Sequence, residues 1–250
     1  GSDEMQLHEE LVNLLLNLGA SFTGFSDVKG KNRNCFSSLQ YAVTIGIRLS
    51  DAVIDEISDK PTYTYFHHYR TVNALLDQIA LRGVLFLQER GYNAVAVPAS
   101  QTVNDLDEPY CGIFPHKTAA VLAGLGRIGK NGLFIHDVFG PRVRLATILT
   151  DLELPCYMKL EYAAFQPLED ETGYSMKSSC AGCNKCVEVC PAMALTGKEW
   201  YEGMPRDELV DARACSEYMN KNFKHIGRGS VCGICIKVCP SRRKPESFRI

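Results

Sequence analysis

The stretch Cys180-Ala-Gly-Cys183-Asn-Lys-Cys186-Val-Glu-Val-Cys190-Pro191 decides how the rest of the sequence is interpreted. Its spacing is C-x₂-C-x₂-C-x₃-C-P, which is typical of bacterial ferredoxins. In such a run three thiolates hold one [4Fe–4S] cluster, and the fourth cysteine reaches over to a second cluster. The stretch therefore predicts two clusters and an electron-transfer role.

A second run, Cys232-Gly-Ile-Cys235-Ile-Lys-Val-Cys239-Pro240, follows and is one thiolate short. Counting ligands points to Cys215 as the replacement, since eight cysteines would then fill eight positions. The alternative for Cys215 is a buried structural cysteine. By the crossing rule, the ligands expected at the first cluster are Cys180, Cys183, Cys186 and Cys239. Those expected at the second cluster are Cys190, Cys215, Cys232 and Cys235.

Eleven cysteines in 250 residues could also indicate a disulfide scaffold. The chain is long for such a scaffold, no secretory signal is visible, and the clustered spacing favours metal. Cys35, Cys111 and Cys156 each stand apart, and we interpret them as small buried apolar residues. The expected compartment is the reducing cytoplasm, in an anaerobic or low-oxygen setting.

Composition excludes several classes of protein. The hydrophobic fraction of 46% and the charged fraction of 22% are ordinary for a globular chain. The formal net charge of −2 gives no general attraction to nucleic acid or to an anionic membrane. No apolar run approaches the roughly 20 residues that a membrane span requires, so we expect no membrane association and no nucleic-acid partner.

Hydrophobic periodicity predicts an α+β fold ahead of the cysteine runs. Helices are expected at residues 5–18, 52–57, 63–90 and 117–125, and near residues 207–222. Strands are expected at residues 22–25, 41–49, 93–98, 133–136 and 143–150. Because Gly140-Pro141 separates the last two strands, they are predicted to form an antiparallel hairpin. The predicted domains are a core over residues 3–155 and a cluster module over residues 156–250.

A glycine-rich loop, Gly124-Leu-Gly126-Arg-Ile-Gly129-Lys130-Asn131, lies between these regions. It matches the dinucleotide-binding pattern G-x-G-x-x-G, yet that pattern should follow a strand and open a helix, and here a helix precedes it. A second interpretation is a tight connection that needs glycine dihedral angles. A third is a bare backbone lying against a flat cofactor, with Lys130 and Asn131 at its rim.

With these motifs, the sequence resembles the epoxyqueuosine reductase family and its wider relatives, the corrinoid reductive dehalogenases. The resemblance rests on Ala123-Gly-Leu-Gly-Arg-Ile-Gly-Lys-Asn131, on residues 148–154 and 180–195, on Cys215, and on residues 232–240. It covers most of the chain from about residue 116 and is weaker over residues 41–81.

The resemblance implies a nitroreductase-like core that binds cobalamin, with an appended ferredoxin-like module carrying two [4Fe–4S] clusters. An external donor of ferredoxin or flavodoxin type would supply the electrons. In the family, the glycine loop helps to line the corrinoid pocket. The residues of this chain implied at that pocket are His116, Lys117, Gly124, Leu125, Gly126, Ile128, Gly129, Lys130 and Asn131.

The sequence departs from the family pattern at the proton donor. The epoxide reductases carry an acidic donor in an Asp-Thr-x-Pro stretch, and a gap-free offset lands here on Tyr110. Since the dehalogenase relatives use a tyrosine, Tyr110 is the candidate donor; the alternative is an ordinary loop tyrosine. The C-terminal extension that grips transfer RNA in full-length epoxyqueuosine reductases is not expected, which disfavours a tRNA substrate.

Three hypotheses about function follow. In the first, the clusters pass electrons to a bound corrinoid, which reduces a small organic substrate, and the protein orients the cofactor and sets its potential. In the second, the clusters serve another protein and no small substrate binds. In the third, the same core holds a flavin instead of a corrinoid.

Overall fold

The computed structural model describes residues 2–31, 36–101, 110–156 and 180–241. The chain divides into two compact units that are interleaved along the sequence. The first, called here the sheet unit, comprises Gly1–Arg48, Thr71–Leu125 and Arg144–Gln166. The second, the cysteine unit, comprises Leu49–Arg70, Gly126–Val143 and Pro167–Ile250. The predicted boundary at residue 155 stays a prediction about domains.

Helices and strands occur in both units. The helices in chain order are α1 (Ser2–Asn17), α2 (Asp51–Asp55), α3 (Tyr63–Gln88), α4 (His116–Leu122), α5 (Lys185–Glu188), α6 (Arg206–Leu209), α7 (Ala212–Gly227) and α8 (Ile234–Val238). The strands are β1 (Phe22–Asp27), β2 (Tyr41–Arg48), β3 (Ala94–Val97), β4 (Gly126–Ile128), β5 (Phe134–His136) and β6 (Val143–Thr150). None of the helices in the described ranges is long and apolar enough to cross a membrane.

A four-stranded sheet in the order β1-β2-β6-β3 forms the centre of the sheet unit. Strand β1 pairs antiparallel with β2, placing Phe25 opposite Val43. Strand β3 pairs antiparallel with β6, placing Val97 opposite Thr147. The long apolar runs of β2 and β6 are almost wholly buried, as the sequence pattern of a strand covered on both faces predicts.

Two helices of the sheet unit show why their sequences are helical. Along α1, Leu11 and Leu15 are fully buried at an i, i+4 spacing, which puts both on one face. Along α3, Leu76, Ile79 and Leu87 repeat this pattern over a longer stretch. Burial of these stripes against neighbouring apolar groups stabilises each helix more than its intrinsic propensity does.

The predicted hairpin between β5 and β6 is wrong. Strand β5 pairs with β4 in a separate two-stranded sheet, and β6 joins the four-stranded sheet instead. The chain closes a tight turn first, because the backbone groups of His136 and Gly140 exchange two hydrogen bonds of 2.9 Å. The Nδ1 of His136 also accepts from the N–H of Val138 at 3.0 Å. Gly140-Pro141 therefore marks a turn that ends β5 without pairing it to β6.

The cysteine unit contains α2, the first residues of α3, the β4–β5 sheet and helices α5 to α8. The helix predicted near residues 207–222 appears as α6 and α7. Asp211 caps α7 by accepting from the N–H of Ala214 at 2.8 Å. The helix ends at Gly227, and the capping residue Arg228 adopts a left-handed conformation. Helix α5 packs against α8, bringing the two cysteine runs together.

Candidate cluster-binding site

The first group of four cysteines lines one pocket of the cysteine unit. Cys180 and Cys183 precede α5, Cys186 lies on it, and Cys239 follows α8. The pocket is also lined by Lys130, Asn131, Ile135, Lys185, Pro240 and Ser241. The crossing rule expected this combination of three cysteines from one run with the last cysteine of the other.

The second group consists of Cys190, Cys215, Cys232 and Cys235. These thiols lie close enough to raise one another's pKa. Burial raises the pKa of the Cys215 thiol to about 11, with further contributions from Cys232 and Cys190. Burial likewise raises the pKa of Cys235, followed by the effects of Cys232 and Cys215. Helix α7 therefore brings Cys215 to the other three cysteines predicted for the second cluster.

The chemistry of both groups fits iron–sulfur clusters. In the first group, burial raises the pKa of Cys186, and Cys239 and Cys180 raise it further. Burial and repulsion between thiolates both favour neutral thiols, so positive charge among the sulfurs is needed to hold them ionised. The irons of two clusters would supply that charge, since metal coordination deprotonates a thiol outright.

Hydrogen bonds to sulfur are already in place in both groups. The backbone N–H of Ala194 donates to the Sγ of Cys190 at 3.4 Å. Hydrogen bonds from the backbone and side chain of Ser241 lower the pKa of Cys239, although burial outweighs them and raises it overall. Such bonds tune the reduction potential of a cluster.

The ten cysteines of the described ranges all carry free thiols. Within the same ranges, no three His, Cys, Asp or Glu side chains converge closely enough to hold a single metal ion. Each iron of a [4Fe–4S] cluster takes its own thiolate. The four cysteines that bind a cluster are therefore farther apart than the ligands of a single metal ion.

The glycine loop is a helix-to-strand connection. Helix α4 ends in a Schellman motif, in which Gly124 N–H donates to Val121 and Leu125 N–H donates to the carbonyl of Ala120 at 3.1 Å. Gly124 has a φ of 69°, which glycine adopts without strain. Gly126 then opens β4. This order is the reverse of the one that dinucleotide binding requires, so the tight-connection interpretation accounts for these glycines.

Lys130 and Asn131 lie directly after the loop and are buried, with 7% and 5% of their surfaces exposed. The Nζ of Lys130 donates to the Oδ1 of Asn184 at 3.1 Å. The Oδ1 of Asn131 accepts from the backbone N–H of Leu133 at 3.1 Å. Both side chains line the pocket of the first cysteine group. Their predicted contact with a corrinoid stays a prediction.

His116 begins α4 in the sheet unit, and both of its ring nitrogens are engaged. Nε2 lies 2.7 Å from the carbonyl oxygen of Pro98, and Nδ1 lies 2.7 Å from the hydroxyl of Thr147. Since a carbonyl only accepts, Nε2 carries the hydrogen, and Nδ1 accepts from Thr147 when the ring is neutral. Burial lowers the pKa of His116 to about 4. This arrangement positions α4 against β6.

Four further residues implied at the corrinoid pocket lie in the glycine loop or shortly before it. Lys117 is on α4, next to His116. Leu125 is buried, with its side chain packed against Gly24 of β1. Ile128 ends β4 and pairs with Phe134 of β5. Gly129 follows Ile128, and its N–H donates to the carbonyl of Leu133. Their contact with a cofactor remains a prediction.

The candidate proton donor and the isolated cysteines lie in the sheet unit or outside the described ranges. Tyr110 has a left-handed backbone, with φ of 62°, and 41% of its surface is exposed. Cys111 and Cys156 are only half-buried, in contrast to the small buried apolar residues expected at these positions. Cys35 lies outside the described residues.

Several polar residues of the first cysteine group were not anticipated. Asn184 lies between Cys183 and Lys185 and accepts from Lys130. Arg127 on β4 donates to the Oγ of Ser241 at 3.4 Å. Because Asn184 lies inside the cysteine run, the sequence alone could have indicated that its side chain lies near the first cysteine group. Arg127 and Ser241 are 114 residues apart in sequence, and only the fold brings them together.

Comparison with known proteins agrees with this geometry. Residues 179–242 match the 4Fe-4S double cluster binding domain. Over 177 residues the chain is 31% identical to a tetrachloroethene reductive dehalogenase of Dehalobacter restrictus, covering 68% of this chain and 28% of the relative. Over 144 residues it is 30% identical to an epoxyqueuosine reductase of Cyclobacterium marinum, covering 52% and 39%. The chain is thus similar to both reductive dehalogenases and epoxyqueuosine reductases.

Solved structures of a reductive dehalogenase and an epoxyqueuosine reductase share the fold. The catabolic reductive dehalogenase NpRdhA superposes with a TM-score of 0.69 at 20% identity, covering 94% of this chain and 32% of that chain. The epoxyqueuosine reductase of Streptococcus thermophilus superposes with a TM-score of 0.57 at 19% identity, covering 94% and 66%. The resemblance and the mixed helix-and-sheet fold with a double-cluster domain are thus confirmed. The chain spans well under half the length of the curated relatives described above.

Proposed function

We propose that this chain is an iron–sulfur and cobalamin-dependent reductase, in which two [4Fe–4S] clusters deliver electrons to a corrinoid that reduces a small organic substrate. One observation carries the proposal. The four cysteines of the first group share a pocket with Lys130 and Asn131, which end the glycine loop implied in corrinoid binding. The proposed electron carriers and the proposed cofactor loop therefore meet at one site of the cysteine unit.

The reductase part of the proposal is supported by the similarity of the chain to iron–sulfur reductases. The corrinoid is supported by a related reductive dehalogenase structure whose description names B12-dependent dehalogenation, at a TM-score of 0.70. The dehalogenase named for tetrachloroethene supports a small organic substrate. When bound, the clusters would supply one-electron carriers, and the corrinoid would supply a strongly reducing metal centre.

The residues of the chain have distinct proposed roles. The eight cysteines hold the clusters, while the Lys130–Asn184 hydrogen bond ties the glycine loop to the first cysteine run. Tyr110 is the proposed proton donor, and its partly exposed side chain leaves it accessible to substrate. We propose that residues 3–155 form a nitroreductase-like core, and that the protein is cytoplasmic and reduced by a ferredoxin or flavodoxin.

The decisive experiment is purification and reconstitution under strict anoxia, followed by cofactor titrations. We expect about eight iron atoms per chain. Added cobalamin should bind and change its visible spectrum, whereas a matched titration with flavin mononucleotide should not. Binding of flavin without cobalamin would contradict the proposal and favour a flavin reductase. Full iron with neither cofactor bound would favour an electron-transfer partner.

Substrate class needs a separate assay with the cobalamin-loaded protein and a chemical reductant. We expect turnover of small halogenated compounds, with halide release as the measurement. The competing substrate is a transfer RNA, because one structural neighbour, an epoxyqueuosine reductase, was solved with a modified tRNA stem loop. Reduction of that stem loop, with no halide release, would contradict a small-molecule substrate.

A further inference from the structure

Asn131 carries a hydrogen-bond donor that the described part of the protein leaves unused. Its Oδ1 accepts from Leu133 N–H, which fixes the orientation of the amide and assigns the other terminal atom as Nδ2. Among the described residues, this Nδ2 is buried and has no hydrogen-bond partner. A buried donor without an acceptor costs free energy, so a partner is expected at this position.

The pocket that Asn131 lines indicates the partner. The four cysteines of the first group line it, and Asn131 is only 5% exposed. Sulfurs of an iron–sulfur cluster accept hydrogen bonds. Such bonds raise the reduction potential of the cluster, and so does nearby positive charge. Lys130 adds a buried ammonium group beside the same pocket, held by Asn184 from within the cysteine run.

The second cysteine group has an acidic neighbour. Asp211 caps α7 by accepting from Ala214 N–H at 2.8 Å, and its backbone carbonyl accepts from the N–H of Cys215 at 3.1 Å, one helical turn away. A carboxylate close to a cluster disfavours the extra electron by simple charge repulsion. Lys130 at the first group and Asp211 at the second are therefore neighbours of opposite charge.

We propose that the Asn131 amide donates a hydrogen bond to a sulfur of the cluster held by Cys180, Cys183, Cys186 and Cys239. Together with the Lys130 ammonium, it raises the reduction potential of this cluster above that of the second cluster. At equilibrium the first electron taken up then resides at the first cluster. This inference rests on the proposed function only in that both clusters must be bound.

The test is an EPR-monitored redox titration of the reconstituted protein. The Asn131→Asp variant keeps an oxygen acceptor for Leu133 N–H but loses the donor, and Asn131→Leu removes the donor without adding charge. Each variant should lower the potential of the first cluster, shifting the electron distribution towards the second cluster by about tenfold, or about 59 mV for a one-electron couple. Lys130→Met should shift it in the same direction.

Control variants show whether a shift in the potential of the first cluster requires a substitution in its pocket. Asn222 is exposed on α7, outside the pocket of the first group, so Asn222→Asp makes the same chemical change there and should leave the potential of the first cluster unchanged. Asp211→Asn keeps a helix-capping side chain and should raise the potential of the second cluster without changing the first. Unchanged potential of the first cluster in both Asn131 variants would overturn the inference. A shift in Asn131→Asp without one in Asn131→Leu would reduce it to a charge effect and also overturn it.

A measurement on the wild-type protein covers the case in which the variants fail to assemble. With asparagine labelled by nitrogen-15, pulsed EPR of the reduced first cluster should detect coupling to a labelled side-chain nitrogen. Absence of that coupling would overturn the hydrogen bond. Iron analysis distinguishes the two proposals: iron-free protein would sink both, whereas about eight irons without the coupling would sink only this one.

Discussion

The two cysteine runs have similar sequences but different surroundings within the cysteine unit. Ile234 within the second run and Val231 directly before it are 5% and 3% exposed. Val189 within the first run and Met193 shortly after it are 39% and 89% exposed. The second run is therefore part of the hydrophobic core of the unit, while the first lies at its surface.

Polar contacts show the same difference. Lys237 of the second run binds Asp55 of α2 through both the backbone carbonyl and the side chain, with a salt-bridge distance of 3.6 Å. The first run receives a hydrogen bond from Lys130 at Asn184. We infer that the packed protein shapes the second site, whereas the first depends more on its metal for order.

The largest expected effect is the loss of one cluster at a time. Cys215→Ser should remove the second cluster and Cys239→Ser the first, each lowering iron from about eight to about four per chain. Iron and sulfide analysis with EPR measures the outcome. Cys156→Ser, at a cysteine outside both groups, is the matched control and should keep all the iron. Full iron in Cys215→Ser would show that this residue is not a ligand.

The second run packs near helix α2, and Arg142 forms ion pairs with two carboxylates of that helix. Its side chain is 3% exposed and contacts Asp51 and Asp55 of α2 at 2.7 Å each. Arg142→Met would leave two carboxylates without this partner and should lower the free energy of unfolding by about 3 kcal/mol, measured by urea titration.

The matched control for this change is Arg213→Met. Arg213 and Glu217 form an exposed i, i+4 pair on α7, with side chains 77% and 64% exposed. Such a pair contributes about 0.3–0.5 kcal/mol. Equal losses in the two variants would show that the buried position of Arg142 is not what gives it importance.

One glycine in each run tests the packing difference directly. Gly182 and Gly233 both have left-handed backbones, with φ of 71° and 80°. A Cβ at Gly233 would lie 2.7 Å from Ile57 and 2.8 Å from Tyr65, while one at Gly182 would meet nothing within 4 Å. Gly233→Ala should therefore cost about 2–3 kcal/mol of stability and Gly182→Ala about 1 kcal/mol. Urea midpoints would measure both, and equal costs would contradict a packed second run.

The smallest effect expected near neutral pH is the dependence of the stability of the sheet unit on the protonation of His116. This unit carries no cluster ligand of the proposed set. Burial lowers the pKa of His116 from 6.5 to about 4. The unfolded chain then binds more protons between these values, so stability is present above pH 6.5 and is lost as pH falls towards 4. The loss should reach roughly 2 kcal/mol at about pH 5.

Hydrogen exchange of β3 and β6 at pH 7 and pH 5 measures this loss in the sheet unit. His116→Gln should make protection of these strands less dependent on pH. His225→Gln, at an exposed position on α7, is the control for introducing glutamine. An acid response that persists in His116→Gln would assign the effect to other groups.

Much of the fold was predictable because its hydrophobic periods are long and regular. The burial of β2 and β6 and the helical stripe of α3 follow directly from their sequences. Strand pairing was less predictable: Phe134–His136 and Val143–Thr150 look like a hairpin, yet they belong to different sheets. Pairing depends on where the flanking turns direct the chain, and periodicity carries no such information.

The sequence by itself determined the cysteine spacing, and with it the expectation of two clusters whose ligands cross between the runs. Thiolate spacing within a short loop is a local property, so it can be read from sequence. Tertiary structure alone decided that Lys130 and Asn131 line the first cysteine pocket, and that the second run is packed while the first is exposed. These features depend on contacts between residues far apart in sequence, because burial and local charge are set by folding.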